Sequence, residues 1–372
     1  MKKFVMVLLL LCLLTIPCAA EEYDEFYEEQ LEASGAEELT DVLPPETQEL
    51  LDKLGITDFS ENSALYMSVE DWLPHLWELV GSSSSGPIAA GAVVIGVILL
   101  CALAEGFRQT ADGASGTLFS SVSVLACCAA LVVPLIGCIE RVMDAADSTS
   151  VFMTSFTPVY AGILATSGHG TAAFSFQSVL FVVTELISYL VSNVILPLLI
   201  IAFAMGLVGS VGDGLRLDRV SGFIQKNTTW LLTAMMTLFI GFLSMQNLAA
   251  GAADTLGNRM IRFSVASFVP VVGGALGEAV GTVKGCLGLL KGTVGTFGIV
   301  ADALIVLPIV LECVWWLIIL GFGQMAADVF GISGVSRILQ LGTGLIKTLI
   351  AVLACFSLFM ILAITIVGKA GG

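Results

Sequence analysis

The segment from Phe174 to Val211 contains 38 residues and one charged side chain, Glu185. No soluble domain presents such a run, because soluble chains are about one-quarter charged. Eighteen or more successive apolar residues mark a membrane-crossing helix. Further apolar segments lie at 88–104, 117–139, 151–166, 229–249, 263–298, 299–321 and 344–367. The whole chain follows suit, at 57% hydrophobic and 12% charged over 372 residues. The expected fold is an all-α polytopic membrane protein. In it, a duplicated bundle of transmembrane helices follows a short helical extracytoplasmic N-terminal segment. The 174–211 run is too long for one upright crossing. It is expected to break near Ser192–Pro197 or to include an interfacial stretch.

The start of the chain has a different character. Lys2 and Lys3 precede the apolar stretch Phe4–Ile16, and the small residues Cys18 and Ala20 precede Glu21. This is the pattern of a secretory signal peptide over 1–20, too short to span a bilayer. Residues 21–80 then hold 18 of the 31 acids and one base, Lys53, a net charge of −17. Such a segment repels phosphates, so nucleic acid is excluded as a partner. Residues 21–86 are read as an acidic extracytoplasmic segment with its "SSSSGP" linker. Trp72 and Trp77 within it suit a membrane interface. The loop 212–229, carrying Arg216, Arg219 and Lys226, is expected on the cytoplasmic side. "ERVMDAADSTS", 140–150, is read as a polar loop.

Three segments recur in the same order. "SFTPVYAGIL" at 155–164 matches "SFVPVVGGAL" at 267–276, "VILPLL" at 194–199 matches "IVLPIV" at 305–310, and "VSGFIQ" at 220–225 matches "VSRILQ" at 335–340. The offsets are 112, 111 and 115 residues. Duplication of a membrane unit follows, a pattern common in transporters and pores. The chain divides into two leading helices (87–149), a first membrane repeat (150–249) and a second (250–372). Pro158 and Pro270 mark the first shared motif, Pro197 and Pro308 the second.

Residues 271–298 contain nine glycines in 28 positions. Glycine costs a helix interior about 1 kcal/mol relative to alanine. Placed on a helix over 273–298 at 100° per residue, all nine fall within an arc of about 140°. Gly273, Gly277, Gly281, Gly285, Gly288 and Gly292 lie in that stripe, together with Lys284 and Lys291. Leu276, Val283, Cys286, Leu287, Leu290, Val294 and Phe297 form the opposite face. A stripe of small residues lets another backbone approach closely. Two functions fit it: a helix-packing seam, or a wet surface lining a path, where lysines would be solvated. The acids Glu185, Asp302 and Glu312 lie inside apolar runs and are candidates for function or for interhelical hydrogen bonding.

The chemistry of catalysis is missing. The sequence has no GxxxxGK[ST], HExxH, GxSxG or dinucleotide fingerprint, and its two histidines, His75 and His169, have no partner motif. Seven cysteines beyond the signal lie in apolar runs without metal spacing, as small apolar fillers. No enzyme activity, cofactor or metal is expected.

"SFVPVVGGALGEAV" at 267–280 and its echo "SFTPVYAGILATSG" at 155–168, behind a signal peptide and acidic flank, resemble the stage III sporulation protein AE family. The resemblance covers most of 85–372. It implies a multi-pass protein of the mother-cell membrane around the engulfed forespore. It further implies a place in a secretion-like channel, or feeding tube, that supports late forespore gene expression. Its partners would be other membrane proteins of the same operon complex and a forespore-membrane protein, with the acidic segment between the two membranes. A homo-oligomer is compatible with all of this. The rival functions are a permease with substrate between the repeats, and a scaffold with no path of its own.

Overall fold

The computed structural model describes residues 24–56, 69–108, 114–211, 217–268 and 273–368, and every element in them is helical. Three short helices come first: α1 (Asp24–Ser34), α2 (Pro45–Lys53) and α3 (Val69–Ser82). The long ones follow: α4 (Ser85–Arg108), α5 (Ala114–Thr166), α6 (Gly170–Leu190), α7 (Leu196–Val211), α8 (Leu217–Phe268), α9 (Gly273–Val329) and α10 (Ser333–Gly368). A π-helical turn, Val191–Ile195, joins α6 to α7 without ending the rod. Among the described residues, six stretches are long and apolar enough to cross a membrane: 77–106, 121–166, 170–210, 220–250, 285–329 and 333–368.

Several expected boundaries dissolve into continuous helix. Residues 140–150 are the middle of α5, not a loop. The segments 263–298 and 299–321 divide differently: α8 ends at Phe268, and α9 then runs unbroken from Gly273 through both. Arg219 and Lys226 stand within α8 rather than in a connecting loop. Pro134, Pro158 and Pro308 are all accommodated inside helices. Each removes one i→i−4 hydrogen bond, which tertiary packing offsets. The run does not break near Ser192–Pro197: the π turn carries the helix through, with Pro197 second in α7.

α5 has 53 residues, so at about 1.5 Å per residue it runs roughly 80 Å, against a hydrocarbon core of about 30 Å. The rods therefore have two storeys. Side-chain contacts fix their directions. Cys138 on α5 meets Cys313 on α9, while Ser167 further along α5 reaches Leu287 earlier in α9, so the two run antiparallel. Thr184 and Ser192 on α6 meet Met153 and Asp147, so α6 also opposes α5. α8 and α10 run together, with Phe239 against Phe359 and Leu232 beside Cys355.

The first storey comprises α4, the start of α5, α7, the end of α9 and the start of α10. The second comprises the end of α5, α6, the middle of α8, the start of α9 and the end of α10. Between them, at mid-height, stands a polar waist of Glu140, Arg141, Asp144, Asp147, Ser192 and Glu312. α10 is the hub. It packs on α5, α6, α8 and α9 and buries Leu345, Leu349, Leu353, Phe356, Phe359 and Met360.

The acidic segment folds onto this rod instead of standing apart from it. Leu39 and Leu51 are buried, the Gln48 amide donates to the Thr40 and Leu43 carbonyls, and Gly35 and Gly55 turn the chain at positive φ. α1 and α2 pack on α9, and α1 also touches α5. Trp315 Nε1 donates to the Val80 carbonyl at 3.3 Å, tying α3 to α9. The described acids of this segment are exposed, and Glu49 pairs with Lys53 at 3.0 Å. That hydrogen bond and charge hold the Lys53 ammonium above its ordinary range.

Candidate functional site

The glycine stripe divides along α9. Gly285, Gly288 and Gly292 are exposed, and a Cβ placed on any of them would meet nothing within 4 Å. Three residues on, the stripe turns into a seam. A Cβ on Gly295 would lie 3.2 Å from the Tyr160 hydroxyl, and one on Gly298 would lie 2.5 Å from the Phe156 ring. Cys286, Leu287, Leu290 and Val294 of the opposite face are buried in the bundle. Lys291 is half-buried on the open part, and Thr293 and Thr296 return their hydroxyls to the Leu289 and Gly292 carbonyls. Gly273, Gly277, Gly281 and Lys284 are on α9, but their surroundings lie outside the described residues, as does Pro270. The packed end thus answers to helix seam, and the open end to a surface turned away from the chain's own core.

This split makes a direct test. In detergent-solubilised protein lacking native cysteines, Gly288→Cys is expected to react promptly with a maleimide. Leu287→Cys should react only after unfolding. Comparable rates at the two positions would contradict the assigned faces.

The three candidate acids do not form one site. Glu185 is exposed on α6. Glu312 is 13% exposed and receives an ion pair from Arg141 of α5. Asp302 is fully buried on α9, where Ser357 Oγ of α10 donates to its Oδ2 at 2.6 Å. Its Oδ1 has no partner among the described residues. Directly below the ion pair, the Cys138 and Cys313 Sγ atoms are 3.5 Å apart and buried. Arg141 was invisible as a partner because "ERVMDAADSTS" reads as loop; its charge carries no trace of the helix 171 residues away. Ser357, an ordinary small residue in an apolar run, carried no signal either.

Arg141 is 45% exposed at its side chain, so water screens the pair. Arg141→Ala is expected to cost about 1 kcal/mol of stability. The paired reversal Arg141→Glu with Glu312→Arg should recover most of it, as read by thermal unfolding in detergent.

Among the described residues no three His, Cys, Asp or Glu side chains gather as metal ligands. What the chain presents is a helical membrane rod with a charged waist, an acidic docked segment and an outward small-residue face. These features define an all-α, multi-pass membrane protein. A family model described as Stage III sporulation protein AE matches residues 56–371, and the chain belongs to that family. Stage III sporulation protein AE of Bacillus subtilis (strain 168) is 24% identical over 236 residues, which is 63% of this chain and 58% of that protein. The match therefore spans little more than half the length of that relative. No solved structure matches the chain. Family membership supports a role in endospore development.

Proposed function

We propose that the protein is a non-enzymatic membrane component of the channel complex between mother cell and forespore, needed for late forespore gene expression. It acts by assembly. It resides in the mother-cell membrane around the forespore, with its signal peptide removed and its acidic segment extracytoplasmic. There it meets other membrane proteins of the same operon complex and a forespore-membrane partner. The observation that carries this reading is the outward face of α9. Gly285, Gly288 and Gly292 bring the backbone to the surface, and a Cβ on any of them would meet nothing within 4 Å among the described residues. Small residues on a membrane helix permit close approach of a second backbone. A permease would be expected to turn such a face inward, toward substrate.

The duplication is part of the reading. "VSGFIQ" stands near the start of α8 and "VSRILQ" near the start of α10, and these two helices run in the same direction. The unit α6–α7 then corresponds to α9, which gives parallel repeats.

The test is deletion of the gene in a sporulating host, with the full chain returned as control. Loss of a late forespore reporter with normal vegetative growth is the expected result. A growth or uptake defect in vegetative cells would instead favour the permease.

A further inference from the structure

The two storeys show different surfaces. In the first, the outer helices present large apolar side chains, including Leu100 and Leu103 on α4, Val133 on α5, Val208 on α7 and Phe322 on α9. That is the surface lipid requires. The second storey is two-sided. On α6 and α8, which pack on each other, Phe174, Phe181, Leu238, Phe242 and Leu248 are 50–77% exposed. On α5 and α9, also packed together, the exposed residues include Thr154, Gly162, Ala165, Gly288 and Gly292. One bilayer of about 30 Å cannot cover a rod of roughly 80 Å, and the charged waist separates the two apolar lengths.

We infer that the bulky face of α6 and α8 seats on the small-residue face of α5 and α9 of a second copy of this chain, head to tail. The levels agree. Phe239 rests on Phe359 and Gly298 meets Ile364, so Leu248 and Gly292 lie less than a turn apart along the rod. Bulky side chains at that height face open backbone at the same height on the next copy.

The waist supplies matching charge. Gln225 lies beside Gly344, and Leu135 beside Gly342, which puts Lys226 of α8 level with Glu140 of α5. Both are exposed, and neither makes an ion pair with a described residue. In the head-to-tail contact, Lys226 of one copy meets Glu140 of the next. Because the two faces are different surfaces of one molecule, the contact repeats from copy to copy rather than closing as a symmetric pair. A copy of the chain fits as the occupant because it brings the apolar ridge, the open groove and the opposite charges at the same heights. The inference concerns these surfaces and goes beyond the sporulation role. The chain can self-assemble in this way whether or not the deletion phenotype appears.

The test uses two differently tagged copies of the full chain in membranes, both without native cysteines. One carries Leu248→Cys and the other Gly292→Cys, and a short bismaleimide is added. Each variant must first accumulate to the level of the parent. Mixed dimers are expected when both copies are present, and no dimers when either cysteine is alone. Lys226→Glu in the Leu248→Cys copy should lower the mixed-dimer yield about fivefold, and Glu140→Lys in the Gly292→Cys copy should restore it. Dimers joined through two Leu248→Cys positions would overturn the head-to-tail arrangement. Adducts to a different protein alone would assign the face to another partner. Absence of any adduct, with α8 marked by an apolar carbene photolabel dissolved in the bilayer, would assign it to lipid.

Discussion

Gly298→Leu is expected to abolish accumulation of the folded protein, while Gly288→Leu leaves the fold intact. The two glycines are ten residues apart on one helix and share a stripe, yet their surroundings are opposite. A Cβ at Gly298 lies 2.5 and 2.7 Å from two atoms of the Phe156 ring and 3.2 Å from Ile364 Cδ1. Phe156 cannot yield, since it is fully buried and stacked on Tyr160 with ring centroids 5.2 Å apart. Tyr160 in turn meets Phe176 edge-on at 5.4 Å. Adding even one methylene to a packed core costs about 1–3 kcal/mol, and leucine adds several carbons. The added side chain must push α9 off α5, in the storey where α10 depends on both. At Gly288 nothing lies within 4 Å, and removing a helical glycine returns up to about 1 kcal/mol. The measurement is thermal unfolding of each variant in detergent, with membrane abundance beside it. Equal loss at both positions would show that the open end of the stripe is packed too. Gly288→Leu should still block the contact between copies, so it separates assembly from folding.

The membrane class was legible because hydropathy accumulates over many residues. A run such as 174–211 leaves no soluble alternative. The helical net also placed Leu287 and Leu290 on the buried face of α9, since they alternate with the glycines at the 3.6-residue period. What periodicity could not give was the neighbour. It put Gly288 and Gly298 in one stripe, and what distinguishes them is packing on Phe156 and Ile364, 142 and 66 residues away in sequence from Gly298. Helix ends failed for a related reason. The polar run at 140–150 looks like a loop to any local rule, but Arg141 finds Glu312 and Asp147 finds Ser192. Lateral partners keep the backbone helical through charge that would otherwise end it. Asp302 was legible as an acid in an apolar run, whereas its single partner was not.

Asp302 separates a structural polar contact from an ion relay, and the two ideas diverge in one substitution. The carboxyl has no exposure, accepts from Ser357 at 2.6 Å and has one oxygen without a described partner. Asn has nearly the same volume and keeps an oxygen for Ser357, so Asp302→Asn is expected to accumulate and to support spore formation like the parent. Losing the contact through Asp302→Ala should cost about 1 kcal/mol for the hydrogen bond, with a small cavity added. Asp302→Lys is the severe case. It places a longer, charged side chain between α9 and α10 with no anion beside it, at a cost of about 2.5–3.5 kcal/mol for the charge alone. Overpacking adds to that, and the variant is expected to be absent from the membrane. A relay requires a group that takes up and releases a proton, which an amide cannot do. If Asp302→Asn folds, reaches the membrane and yet forms no spores, the acid carries ions and the permease reading gains over assembly. Normal spore formation by the same variant leaves Asp302 as a contact that fixes the register of α10 against α9, where the groove-bearing helix meets the hub of the rod.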